Sequence, residues 1–531
     1  MDLPSEPPKS STDSEPPSEP HVSPESHDGP RRRPRRAVPG IVQLPWRRLV
    51  NPFRPVEILS VDHVEAIHQA SLRVLAEIGI EVLGDRALDA FAAAGATVDR
   101  LTRNVRIDPD QVVALISTAP TEFELHARNR ERNVTFGGAN LVFGAVGGPA
   151  FVTDIDRGRR AGNFADFVDY VRIIGALDVI HQEGGGPLEP NDLPVETRHL
   201  DMYRTFAVEL DKTWQCLGFG SRPVDDALEV ACLIRGVDRE TLLREPSLMT
   251  VINTNSPLRL DGPMGDGLME MALHGQPVVA TPFTLAGAMS PVSLAGALAQ
   301  QNAEALFLVA LSQIVRPGAP MIYGAFTSNV DMRTGAPAFG TPESVKSQFA
   351  SGQMARRYGL PWRSSNATAS NVVDAQAAYE SEMAVWGAIM GGVNLLYQGA
   401  GWLEGGLTAS FEKLIIDAEI LQMLSEVLQP IPVDEASLAF EAMVDVGPGG
   451  HFFGTAHTLE RYETAFYQPI VSDWRNFETW QADGAQTATQ RANTTWKRIL
   501  AEAVPPALDP PVLEALDAFV AGRKMEIAGG A

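Results

Sequence analysis

Eight short apolar runs recur through the middle of the chain, at residues 141–146, 179–183, 213–219, 248–254, 277–283, 320–326, 361–366 and 393–399. Continuous apolar runs, rather than alternating ones, are what strands buried on both faces of a parallel sheet look like. Most are separated by segments whose apolar residues follow helical spacing. Eight strand-helix units in order predict an α/β fold, a (β/α)8 TIM barrel, over residues 139–429. Helix signals agree. Thr341-Pro342-Glu343 offers a capping hydroxyl, an N1 proline and an acid, and predicts a helix to about Tyr358. Asp374 starts the next helix and Gly391-Gly392 stops it. From Glu412 to Leu428 a helix turns Leu414, Ile415, Ala418, Leu421 and Leu428 inward.

Outside that core, Val64, Ile67, Leu72, Val74, Leu75 and Ile78 line one helical face that Gly79 ends. Residues 51–138 read as a small α+β cap, and residues 430–531 as a mainly helical C-terminal region. Residues 1–50 read as a disordered tail: the first forty or so are rich in Pro, Ser and Glu, end in an arginine run at 31–36, and hold too little apolar surface to offset their ordering entropy.

Composition narrows the function classes. A formal net charge of −23 disfavours nucleic acid as a partner, because phosphate neutralisation needs a basic face. No apolar run of membrane-spanning length stands out, and the N-terminus shows no apolar segment behind its basic cluster, so no membrane association is expected and the cytoplasm is the default location. Two cysteines, Cys216 and Cys232, are too few for a disulfide framework or a thiolate zinc site, and no metal is expected.

In a barrel of this kind the chemistry sits at the C-terminal strand ends. Those ends carry Glu183, Asn255, Phe283, Tyr323, Phe326, Asn366 and Tyr397, with Trp402 and Glu404 just beyond the last one. A quaternary ammonium has no N–H to donate and is held by aromatic faces and a nearby carboxylate. Phe283, Tyr323, Phe326, Tyr397 and Trp402 are candidates for such a cage, with Glu183 or Glu404 as the anion. The connection at 327–340 is long and carries Asp331 and Arg333, so it could close over a substrate. His451 lies in a glycine-rich stretch able to present backbone N–H groups to an anion. Glu183, Asp331 and His451 are the catalytic candidates; Asn255, Arg333 and Asn366 join the aromatics and Glu404 as substrate contacts.

Five segments in order, Ser364-Ser365-Asn366, residues 374–380, residues 399–407, residues 410–413 and Gly447-Pro448-Gly449-Gly450-His451, resemble the trimethylamine methyltransferase family, across roughly residues 56–525. Its non-pyrrolysine branch demethylates glycine betaine and similar quaternary amines. The resemblance implies a TIM barrel that presents a small methylated amine to the cob(I)alamin of a separate corrinoid protein, with no cofactor bound by the chain itself. Where the archaeal enzymes carry pyrrolysine, near residues 364–370, only ordinary residues stand. That disfavours trimethylamine itself and favours a betaine, carnitine or choline. The acceptor rests on resemblance alone, so a barrel methyltransferase with another acceptor and a non-catalytic quaternary-amine binder stay open, as does a homo-oligomer. A metal-dependent barrel hydrolase would show His-x-His after the first strand, where Gly147-Gly148-Pro149 stands.

Overall fold

The computed structural model describes residues 41–529. Most of the expected tail, with its arginine run, lies outside them. Residues 41–50, counted with that tail above, are seated on the protein. Gln43 donates to the Ala176 carbonyl and accepts from Asp178 N, Leu44 N donates to Gln422, and Leu49–Val50 pairs antiparallel with Leu141 and Asn140.

The parallel strands are Asn140–Phe143, Trp214–Gln215, Leu248–Ile252, Val278–Ala280, Met321–Gly324, Trp362–Ser365 and Leu395–Tyr397. From Trp214–Gln215 onward each pairs with the next, and Leu395–Tyr397 pairs back onto Asn140–Phe143. Gln182 bridges Gly144 on one side and Thr213 on the other. The sheet of this mixed α/β protein therefore curls round on itself, and each of the eight apolar runs contributes to the circuit, the second through one bridging residue.

Strand alternation sorts the side chains into two cores. Val142, Met249, Val279, Ile322 and Leu395 pack inside the curl, while their neighbours Phe143, Leu248, Ala280, Tyr323 and Leu396 join the core under the helices. The hairpin of Glu122–Leu125 with Val134–Gly137 fills one end, Leu125, Val134 and Phe136 joining the inner cluster. His126 N donates to the Pro246 carbonyl just before a strand begins, so this is the N-terminal end of the sheet.

The helices start as the sequence indicates. Thr341 caps Pro342–Tyr358 by accepting from Ser344 N, and Asp374 caps Ala375–Met390 by accepting from Gln376 N and Ala377 N. Leu294–Val315 is long and apolar enough to cross a membrane by length and composition, but it is a core helix, buried along most of its length and carrying the buried Glu304. The N-terminal helix Val61–Arg73 packs on it, and the strands Ile80–Val82, Thr97–Asp99 and Asn104–Arg106 form a small sheet that Arg259–Leu260 extends. The elements from Glu435–Leu438 to Pro510–Ala528 are helices.

Candidate active site

Register decides what each strand turns inward. Arg363 pairs with Leu395 and Gly324, and Ser365 with Tyr397, which places Arg363, Ser365 and Tyr397 on the inner face with Leu395. Gln215 pairs with Met249, and Gln182 with Gly144 and Thr213, which places these on it too. The interior thus has two zones: an apolar one against the hairpin, and a polar one toward the C-terminal strand ends. In the polar zone the side chains of Gln182, the Nε2 of Gln215, the Nε of Arg363, the Oγ of Ser365 and the Oγ1 of Thr281 find no hydrogen-bond partner among the described residues. Buried polar atoms are ordinarily paired, so this concentration marks a place built to receive a polar ligand or water.

Two strand ends meet backbone to backbone at Gly147 and Gly184. A Cβ on Gly147 would stand 1.9 Å from the Gly184 carbonyl, so any side chain would force them apart. Tyr397 Oη donates to that carbonyl at 2.5 Å. Beneath this contact lies Glu183, fully buried, its two oxygens accepting from Gly185 N and Gly186 N at 2.7 Å each. Burial pushes its carboxyl up to about 7, although four backbone N–H groups pull the other way. A carboxyl poised near neutrality at a buried strand end is able to exchange a proton at physiological pH.

Arg363 is 1% exposed. Its guanidinium stands 4.9 Å from the ring centroids of both Phe326 and Tyr397, and donates to the Ala325 carbonyl at 3.3 Å and to Gln398 Oε1 at 2.9 Å. Gln398 has a positive φ of 55°, unusual for a non-glycine residue and found here beside the charge it contacts. Phe326 in turn touches Phe283 (5.0 Å), Phe339 (5.2 Å, stacked) and Trp402 (6.0 Å, edge-on). Four aromatic side chains therefore form one wall, with Arg363 and Tyr397 at its edge.

Of the expected cage, Phe283, Phe326, Tyr397 and Trp402 gather here. Tyr323 does not: its strand position, paired with Ala280, faces the helices, where its hydroxyl donates to Asn302 Oδ1 at 2.9 Å. Asn366 is buried at the strand end, its Nδ2 donating to the Gly399 carbonyl and its Oδ1 unpartnered among the described residues. Glu404 is taken by Arg159 at 2.8 Å rather than free to serve as an anion. Asn255 is exposed and braces its own loop by accepting from Asp261 N. The 327–340 connection, read as a segment able to close over a substrate, is a hairpin in which Phe326–Val330 pairs with Pro337–Ala338. At its exposed tip Asp331 accepts from Thr334 Oγ1 and Arg333 N, contacts that hold its carboxyl below the usual range and shape the turn. Arg333 is exposed there as well. His451 is exposed in a loop, its ring 6.2 Å from that of Phe453 and not among the strand-end groups.

Sequence reasoning missed Arg363, Gln182, Gln215 and Phe339. A charged residue inside a strand as buried as Trp362–Ser365 was the available signal for the first, since arginine is seldom fully buried without a purpose. A small crevice touches Phe326 and Ser365 of the site. It has a volume of about 10 Å³, room for one water, and is also lined by Trp362 and Ser364, and a cleft of about 360 Å³ lies at the opposite end, beside the hairpin. Cys216 lies against Met271 Sδ at 3.6 Å, and burial pushes its thiol up to about 12.

Comparison with known proteins identifies the chain as a methyltransferase. It belongs to the trimethylamine methyltransferase (MTTB) family, whose model matches residues 26–528. A glycine betaine methyltransferase of Desulfitobacterium hafniense is 38% identical over 88% of this chain and 98% of its own length. A trimethylamine methyltransferase of the same species is 29% identical over 87% of this chain and 92% of its own. A crystal structure of the Methanosarcina barkeri monomethylamine methyltransferase matches 85% of this chain and 90% of its own with a TM-score of 0.45 and 11% identity.

Proposed function

We propose that this chain works in the cytoplasm as a (β/α)8 barrel enzyme that moves a methyl group from a small quaternary or tertiary amine, a betaine foremost, to the Co(I) of a partner corrinoid protein. Residues 139–429 would form the barrel, residues 51–138 its cap and residues 430–531 the helical extension. The observation that carries the reading is the aromatic wall of Phe283, Phe326, Phe339 and Trp402 at the strand ends, because aromatic faces are what hold a cation lacking N–H groups. Likeness to the glycine betaine enzyme along nearly all of that protein's length supports the same class of donor.

In this reaction one C–N bond breaks, its electron pair returning to nitrogen, and the methyl carbon bonds to the acceptor through the acceptor's own pair. A quaternary nitrogen leaves as a neutral amine, so no proton is required. The chain's tasks are then to position the methyl carbon and exclude water. Phe283, Phe326, Phe339 and Trp402 would present the methyl groups, and Glu183 would supply negative potential beside the ammonium. The corrinoid partner would dock over the strand ends.

The test mixes the purified protein with Ti(III)-reduced cobalamin and a panel of glycine betaine, proline betaine, carnitine, choline and trimethylamine, following cob(I)alamin absorbance. Conversion to methylcobalamin with a quaternary amine supports the proposal. Binding by calorimetry without conversion, even with a corrinoid protein added, would favour the non-catalytic reading.

A further inference from the structure

We propose that Arg363 is the receptor for a carboxylate on the methylated amine, so that the site selects zwitterions over amines that carry positive charge alone. The inference rests on the amine-binding reading above and names the substrate class of that same site.

The argument starts from an imbalance. Arg363 is buried inside the curled sheet, yet no carboxylate pairs with it among the described residues. Elsewhere, buried Lys413 lies 2.5 Å from Asp417, and half-buried Arg235 contacts Glu245 at 2.5 Å. Lys212, which bonds two backbone carbonyls instead, has its ammonium pushed down by burial to about 7. A guanidinium cannot shed its proton so readily. Burial lowers Arg363 to about 10, leaving it charged at neutral pH. A buried charge of this kind calls for an anion that the described residues do not supply.

The geometry shows where the anion would lie. Phe326 and Tyr397 lie beside the guanidinium, each ring centroid 4.9 Å from it, and its buried Nε–H is left without an acceptor. Of its five N–H groups two have acceptors, both neutral, and Nε–H has none. Unpartnered Ser365 Oγ, Gln182 and Gln215 Nε2 share the same inner face. Phe326 belongs to both subsites, since it lies beside both Arg363 and Trp402. A span of about one ring suits a molecule whose carboxylate is one carbon from its quaternary nitrogen. A choline, with a hydroxymethyl in place of the carboxylate, would bring a second positive charge toward Arg363 and no anion to meet it.

The test measures binding and methyl transfer for glycine betaine, its methyl ester and choline. In the wild type, glycine betaine should exceed both by about 100-fold or more in kcat/KM, as a site built around a charged hydrogen bond rejects ligands lacking the partner. Arg363→Gln should lower kcat/KM for glycine betaine by about 10²- to 10³-fold while leaving choline unchanged or improved, and Arg363→Lys should recover part of the loss. If neither variant folds, the wild-type preference for the acid over its methyl ester still decides. Equal use of acid and ester, or an equal loss for glycine betaine and choline in Arg363→Gln, would overturn the proposal. A wild type that transfers no methyl group to cobalamin but binds glycine betaine over its ester by calorimetry, a preference lost in Arg363→Gln, would overturn the corrinoid acceptor and keep Arg363 as the carboxylate receptor.

Discussion

Glu183 ties the stability of the protein to pH in a way that can be isolated by one substitution. Its carboxyl is raised from the ordinary 4.5 to about 7, chiefly by burial. Between those values the folded protein holds a proton that the unfolded chain has released, so stability falls as pH rises through this window and is flat above and below it. That shift corresponds to about 3 kcal/mol in full, most of which is lost between pH 5 and pH 8. A chain of this length unfolds with an entropy of about 1 kcal/mol per kelvin, so the effect on the melting temperature is about 2–3 °C. Glu183→Gln removes the titration. It also leaves an amide facing the N–H groups of Gly185 and Gly186, a cost of about 1–3 kcal/mol that does not depend on pH. The quantity to read is therefore the difference in melting temperature between variant and wild type by calorimetry at pH 5, 6.5 and 8. The variant should gain about 2–3 °C on the wild type across that range. A difference that stays constant would mean that Glu183 ionises near its ordinary value and is not held in the environment described.

Three further outcomes separate scaffold from site. Tyr323→Phe should cost about 1 kcal/mol of stability, by loss of the bond to Asn302, and leave kcat/KM within about twofold of the wild type, because the ring faces the helices. His451→Ala and Asp331→Ala should each leave turnover within about twofold, since both residues are exposed and neither reaches the strand ends; a tenfold loss in steady-state assays would return that residue to the site. Trp402→Ala should raise KM for a quaternary amine by about tenfold through loss of one aromatic face, and an unchanged KM would show that the wall does not touch substrate.

The order of elements was readable because strands buried on both faces leave apolar runs, and because helix starts carry their caps in sequence. What could not be read was facing. Tyr323 and Tyr397 both sit in apolar strands near their C-terminal ends, but pairing puts the first beside Ala280, toward the helices, and the second beside Ser365, toward the interior. A shift of one residue exchanges these fates, and single-strand composition does not set it. The same rule hid Arg363: the run at 361–366, read as a strand, mixes Trp362 with Arg363, Ser364 and Ser365, and only the register shows which of them turn inward. Gln182 was hidden differently: it belongs to a run expected as a strand that contributes one bridging residue. Phe339 reaches the wall from the far end of a hairpin, a contact that depends on the fold of residues between them.

The hairpin at Glu122–Leu125 and Val134–Gly137 bears on the order of events. Leu125, Val134 and Phe136 pack into the N-terminal end of the curled sheet, which leaves the C-terminal strand ends as the side from which a ligand would reach the polar zone. On the proposed reaction, a methyl donor must then be aboard before a large acceptor protein covers the opening, and the demethylated amine must wait until that protein departs. Such a one-door site predicts compulsory-order kinetics, with the acceptor at high concentration trapping product and slowing turnover.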